Sequence, residues 1–291
     1  MTPFIEYHSD ALARANSLSE LAVVLADLPP PLVIFNKSHS GSRVLVDLIA
    51  AGGIFTGSNL NDSGDALDWM PLVEAGVDLL YPEYWRLGEE ADTEAHLTAL
   101  ARTAVTEHLA DYRGGPWGWK LCETVYILPL IDILFPAARY VHLIRDGRDV
   151  AFSNHVPPRR DFWRRIYVNS ARLRFWNGLV FGKHSRTAYR LYPHLFNAQH
   201  WHNSVTVGRR FGAMLGRRYQ EIRYEDLCAK PHQTAARLFA FAGIESSAAA
   251  LAPVIARIRM DRVGRYLRHN RLSVWQVTRR LRPLLVELGY L

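Results

Sequence analysis

This sequence predicts an α/β fold, a central parallel sheet flanked by helices, and three observations carry that prediction. Short β-branched apolar runs recur, each passes through a tight polar loop into a segment with helical apolar spacing, and no linker, repeat or low-complexity tract interrupts the alternation. Of the 291 residues, 49% are hydrophobic and 22% charged, enough apolar material for one large core. Residues 1–291 are therefore read as a single domain.

The first unit is Pro31-Leu-Val-Ile-Phe-Asn36, a strand apolar enough to be buried on both faces, then the loop Lys37-Ser-His-Ser-Gly-Ser-Arg43 and a helix over Val44–Ala50. The second runs from the strand Arg139–Ile144 through Arg145-Asp-Gly-Arg148 into a helix opening at Asp149-Val-Ala-Phe-Ser153. In the third, the strand Gln220–Tyr224 leads through Glu225-Asp-Leu227 to the amphipathic helix Gln233–Ala242. The region from Phe162 to Met214 reads as helical, its aromatic-rich part (Trp163, Tyr167, Phe175, Trp176) as helix core or partly as the lining of an acceptor pocket. Ser273–Leu288 reads as a last helix, with Ser273 as N-cap and Gly289 as its stop. Such a chain makes a parallel sheet of about four or five strands, with its ligand across their C-terminal ends.

Two cysteines, Cys122 and Cys228, make no disulfide framework and point to a reducing compartment. The N-terminal MTPFIEYHSD lacks the basic and apolar regions of a signal peptide, and no segment has the apolar length of a membrane span, so a cytoplasmic protein is expected. The net charge is +7, and nine arginines stand between Arg257 and Arg282 against the single acid Asp261. Polynucleotide, anionic membrane, a small phosphorylated ligand and a plain solvated helix face all fit that run. His194, His200 and His202 predict no metal site, because no third ligand follows at motif spacing and positions i and i+2 diverge on a helix.

A strand ending in a small polar loop that opens a helix is an anion site by geometry, since the first helical N–H groups are unpaired and the dipole favours negative charge. In Lys37 to Arg43 the donors are Lys37, Ser38, His39, Ser40, Ser42 and Arg43 around Gly41, an architecture like a P-loop without the G-x-x-x-x-G-K-[ST] sequence. Arg145 at a strand end and Ser153 eight residues on suit a second tetrahedral anion.

Here the pattern becomes specific. Arg145-Asp-Gly-Arg-Asp-Val-Ala-Phe-Ser153 resembles the 3′-phosphate signature of sulfotransferases that use 3′-phosphoadenylyl sulfate (PAPS), and Ser40-Gly-Ser-Arg43 resembles their 5′-phosphosulfate loop. Arg223-Tyr-Glu-Asp-Leu227 is similar to a family segment whose tyrosine lies near the nucleotide. Val263-Gly-Arg-Tyr-Leu-Arg268, with Glu287-Leu-Gly-Tyr290 after it, is similar to the C-terminal pattern of bacterial and tyrosylprotein sulfotransferases, where a basic loop closes over the 3′-phosphate.

The resemblance spans Leu32 to Tyr290 and implies a P-loop-like sulfotransferase with PAPS as donor and PAP as product. It implies that Ser38 to Arg43 cradle the phosphosulfate, Arg145 and Ser153 clamp the 3′-phosphate, Tyr224 lies near the adenine, and Arg265 and Arg268 close over the nucleotide. Where the family carries Lys or Arg two positions before the loop glycine this chain has His39, a candidate donor when cationic; its charge depends on pH, so Lys37 or Lys120 is the alternative holder of the phosphosulfate. Lys120 stands in Trp117-Gly-Trp-Lys-Leu-Cys-Glu-Thr124, similar to W-G-W-K-x-P-R with Cys122 and Glu123 replacing Pro-Arg. The family's usual glutamate base aligns with Asn59 or Leu60, so the base falls to Asp62 first, then Glu123, with Asp65 also near.

The acceptor implied is a small molecule, carbohydrate or lipid bearing a hydroxyl or amine, with no nucleic-acid partner and no metal; the oligomeric state is open. Three rivals stay in view: a nucleotide binder without turnover, an ATP phosphotransferase and a basic nucleic-acid-binding protein.

Overall fold

The computed structural model describes residues 4–80, 94–153, 173–175, 179–181 and 191–291. Its strands are β1 (Leu32–Asn36), β2 (Gly118–Lys120), β3 (Arg139–Ile144), β4 (Leu173–Phe175), β5 (Leu179–Phe181) and β6 (Tyr219–Arg223). Four of them form an all-parallel sheet in the order β2-β1-β3-β6. Leu32 pairs with Gly118 on one side and Arg139 on the other, and Ile144 pairs with Arg223, so all four strands run out at one edge.

Side chains alternate across this sheet with period two. Val33, Phe35 and Tyr140 enter one core, and Leu32, Ile34, Val141 and Leu143 the other. Helices Arg43–Ala51, Tyr224–Ala229, Pro231–Ala242 and Ala248–Ile255 supply the second core; the first takes helices that include Leu18–Leu25, Glu94–His108, Pro193–Leu215 and Arg271–Glu287. A parallel sheet needs both faces covered, and helices from before, between and after its strands meet that need. The fold is the expected α/β sheet flanked by helices. No helix of the described residues is long and apolar enough to cross a membrane.

Three local expectations change. Of the described residues between Phe162 and Met214, those of Pro193–Leu215 are helical as expected, whereas β4 and β5 pair antiparallel, Leu173 opposite Phe181. In the sequence, the alternating triplet Leu173-Arg-Phe175 and the apolar triplet Leu179-Val-Phe181, with Asn177-Gly178 between them, carry a hairpin signal that the density of aromatics obscured. Residues Trp163, Tyr167 and Trp176 lie outside the described residues. The last helix starts at Arg271, and its N-cap is Asn270, whose side chain accepts from Leu272 N and Ser273 N at 2.9 and 3.3 Å. Asparagine is as good an N-cap as serine and stands earlier, so the helix begins there. Tyr224 opens a helix instead of closing β6. Gly289 does end the last helix, with φ +69°.

Two elements hold the sheet's C-terminal edge. Trp201, buried on Pro193–Leu215, donates its indole N–H to the Arg145 carbonyl at 3.0 Å. Beside it Arg271–Glu287 buries Val277, Leu281, Leu284 and Leu285 in the same core. Leu281→Ala, at a fully buried position, should cost about 2–5 kcal/mol in urea unfolding.

Candidate active site

Each parallel strand releases a polar residue where its hydrogen-bond ladder ends: Lys37 after β1, Lys120 at the end of β2, Arg145 after β3 and Tyr224 after β6. The arrangement gives two adjoining regions, an open cationic cavity and a buried cluster of charges.

The cavity, about 770 Å³, is lined by His39, Gly41, Arg43, Arg145, Ser153 and Tyr224, joined from the C-terminal region by Arg262, Arg265 and Tyr266. The first helical N–H groups of Arg43–Ala51 open at its wall, where Arg43 and Val44 form part of the lining. Gly41 has φ +86°, and a Cβ there would stand 2.3 Å from the Tyr224 ring. The loop thus passes flat under the ring because it has no side chain at this point. His39 also has positive φ, at 70°, an uncommon state for a residue with a side chain.

Arg145 is 7% exposed and stacked over Tyr224 at 4.9 Å. Its guanidinium donates to the His39 and Arg262 carbonyls and pairs with Asp149 at 3.3 Å, while its buried Nε has no partner. Asp149 is the residue sequence reasoning missed. Its carboxylate accepts from Gly264 N at 2.8 Å and Tyr266 N at 2.9 Å, tying the C-terminal loop to the start of the helix after β3. Gly264, at φ +73°, makes the turn that presents both N–H groups. Arg148 is bound bidentately to Asp146 and stacks over Tyr266 at 4.4 Å, and its Nη2 donates to the Tyr290 carbonyl. Glu225 accepts from Asp146 N at 2.9 Å and Tyr290 OH at 2.8 Å. Segments far apart in sequence are therefore one hydrogen-bonded unit.

Other expected residues are placed differently. Ser40 and Ser42 are buried; Ser40 Oγ donates to the Lys37 carbonyl, and Ser38 Oγ accepts from Lys37 Nζ at 2.6 Å. These hydroxyls shape the loop. Ser153 lines the cavity, but its hydroxyl donates to the Asp149 carbonyl at 2.8 Å and must rotate to serve an anion. Arg268 lies outside the lining, one 3-10 turn or roughly 6 Å beyond Arg265, and Arg262 stands in the wall instead.

The buried cluster comprises Lys37, Lys120, Cys122 and Glu123, with Asp65 at its edge. Lys120 Nζ pairs with Asp65 at 2.8 Å and donates to the Ser63 carbonyl at 3.1 Å; desolvation opposes its charge, but the surrounding acids win and its pKa is raised. Burial lowers the Lys37 pKa to about 7 and raises that of Glu123 to about 8, each partly offset by the other's charge. His39 falls to about 4, through desolvation first and then the cations Lys37, Arg145 and Lys120. The residue is exposed overall, which softens the shift by screening, yet three cations leave its direction unchanged. A neutral His39 is not the cationic donor that its loop position suggested. Asp62 is exposed and makes no hydrogen bond or ion pair in the described structure, whereas Asn59 donates to buried Asp68 at 2.7 Å. His200 shares a hydrogen bond with Tyr126 at 2.7 Å.

The sulfotransferase-family model matches residues 58–248, leaving the Lys37–Arg43 loop and the C-terminal loop outside the match. No match is found among curated proteins. The chain is similar to the sulfotransferase domain of the Synechococcus PCC 7002 olefin synthase, at 16% identity and TM-score 0.48, over 87% of this chain and 95% of that one. It is likewise similar to sulfotransferase STF9 from Mycobacterium avium, at 13% identity and TM-score 0.48, over 95% of this chain and 79% of that one.

Gly41→Ala should destabilise the protein by on the order of 2 kcal/mol or more in urea unfolding. Adding Tyr224→Ala should recover the steric part and leave the strain of positive φ.

Proposed function

The chain belongs to the sulfotransferase family, and from that premise we propose that it transfers a sulfuryl group from PAPS to a hydroxyl or amine of its acceptor. The observation that carries the reading is Arg145: a buried guanidinium with an unpartnered Nε, at the wall of a cationic cavity beside a phosphate-ready helix start. Cavity and ligand class agree. Arg43, Arg145, Arg262 and Arg265 match a bis-phosphorylated nucleotide in charge, and Tyr224 and Tyr266 offer rings to a base. A phosphotransferase using ATP and Mg²⁺ has no such support, since the loop lacks the G-K-[ST] of that class.

In this reading Arg145 holds the 3′-phosphate through its free Nε–H, with Ser153 joining once its hydroxyl turns. The backbone N–H groups at Gly41 to Val44, with Arg43, receive the 5′-phosphosulfate. PAPS, when bound, supplies the sulfuryl group and a nucleotide leaving group. Lys37 and Lys120 take the role that His39 leaves open, placing positive charge where the bridging oxygen gains electrons. Glu123 replaces Asp62 as the preferred base, because it is buried beside those lysines and Asp62 is exposed. Its carboxylate takes the acceptor hydroxyl proton; with a pKa raised to about 8 by burial it is a stronger base than an ordinary carboxylate, and its accepting form grows as pH rises through that value. Two buried free thiols, Cys122 and Cys228, suit action in the reducing cytoplasm.

Calorimetric titration with PAP, AMP and ATP tests the proposal. PAP should bind far more tightly than AMP, and Arg145→Ala should lose on the order of 2–5 kcal/mol of PAP affinity while AMP binding changes little. Equal affinity for PAP and AMP would remove the clamp and with it the assignment.

The Lys37 ammonium makes binding pH-dependent. Its free pKa of about 7 rises when a phosphate dianion stands beside it, so binding takes up a proton above pH 7. PAP affinity should therefore fall as pH rises from 7, by roughly tenfold per unit at most. A flat profile in Lys37→Met would confirm the origin, and an unchanged slope would locate it elsewhere.

A further inference from the structure

From Arg262 to Val286 the chain holds seven arginines and no acid. The nucleotide cavity accounts for Arg262 and Arg265, and Arg280 is bound to Gln199 at 2.8 Å. Arg268, Arg271, Arg279 and Arg282 are exposed and have no carboxylate partner in the described structure. On the last helix the residues at 272, 275, 279, 282 and 286 follow one another at three or four positions and form the face opposite buried Val277, Leu281 and Leu285.

That outward face is not polar. Leu272 is 63% exposed, Trp275 54% and Val286 52%, and Leu267, on the turn leading into the helix, is 72% exposed. Arg279 stacks on Trp275 at 5.3 Å, so the guanidinium and indole present one amphipathic surface. A helix with apolar residues on both faces and arginines flanking the outer one is built to be covered on both.

We propose that this face docks on an anionic lipid bilayer, Leu272 and Trp275 entering the headgroup region while Arg271, Arg279 and Arg282 meet lipid phosphates. Charge complementarity selects an anionic partner, and the apolar residues select a bilayer over a nucleic acid. Leucine and valine gain free energy when buried at the acyl boundary and gain none along a phosphodiester backbone, while tryptophan beside arginine suits the interface between headgroups and acyl chains. A second copy packed symmetrically on this face would set arginine against arginine. The cavity mouth, where Arg265, Tyr266 and His269 stand, lies just before this helix in the chain and so close to the docked surface. Docking does not depend on the proposed sulfuryl transfer and is tested without PAPS.

Flotation of the full-length protein with phosphatidylcholine vesicles, with and without about 30% phosphatidylglycerol, is the test. The protein should float only with the anionic vesicles. Arg279→Glu with Arg282→Glu should lower its partition by on the order of thirtyfold or more, and Leu272→Ser with Trp275→Ser by roughly tenfold. All four positions are outside the cavity, so wild-type thermal midpoints and PAP binding serve as folding controls; if a double variant unfolds, the single Arg282→Glu is used. Any of three results overturns the proposal: equal flotation on uncharged vesicles, partition indifferent to Leu272 and Trp275, or tighter binding to a single-stranded oligonucleotide than to anionic vesicles. A concentration-dependent dimer abolished by the same substitutions would also overturn it, by assigning the face to a second copy.

Discussion

The site depends on one buried carboxylate. Asp149 neutralises Arg145 and accepts two backbone N–H groups, at Gly264 and Tyr266, from a loop more than a hundred residues further along. An arginine this deeply buried is costly without a counter-charge, and a carboxylate with three donors is well solvated by the protein. Asp149 therefore performs two tasks through one requirement: it keeps the Arg145 guanidinium in place, and it brings the C-terminal loop against the cavity. The wall containing Arg262, Arg265 and Tyr266 exists because of that contact.

A second unit reinforces it. Glu225 joins the amide of Asp146 to the hydroxyl of Tyr290, and Arg148 joins the Asp146 carboxylate to the Tyr290 carbonyl. The segment after β3, the segment after β6 and the end of the chain meet in these few bonds. The three of these bonds that run between segments join residues 65 to 142 positions apart, which explains why short motifs at distant places in the sequence belong together.

The Lys37, Lys120 and Glu123 cluster obeys a different constraint. Asp65 settles the charge of Lys120 by direct contact, but Lys37 and Glu123 are held close to neutral pH by burial acting in opposite senses on an acid and a base.

Strand, loop and helix units were legible because burial on both sheet faces demands apolar runs, unbroken over Leu32–Phe35 in β1 and interrupted over Tyr140–Ile144 in β3 only by buried His142. That Arg145 and Tyr224 face the cavity was legible as well, since a strand's end places the next residue at the sheet edge, while Gly41 and Ser153 were read from the motifs that follow β1 and β3. What the sequence determined by itself was this local geometry and the family signature written on it. Only the tertiary structure decided that Asp149 anchors the loop, that Arg262 and not Arg268 lines the wall, and that His39 is neutral. Each of those depends on which charges and N–H groups meet after residues far apart are packed together, and on how much water remains between them; local spacing encodes neither.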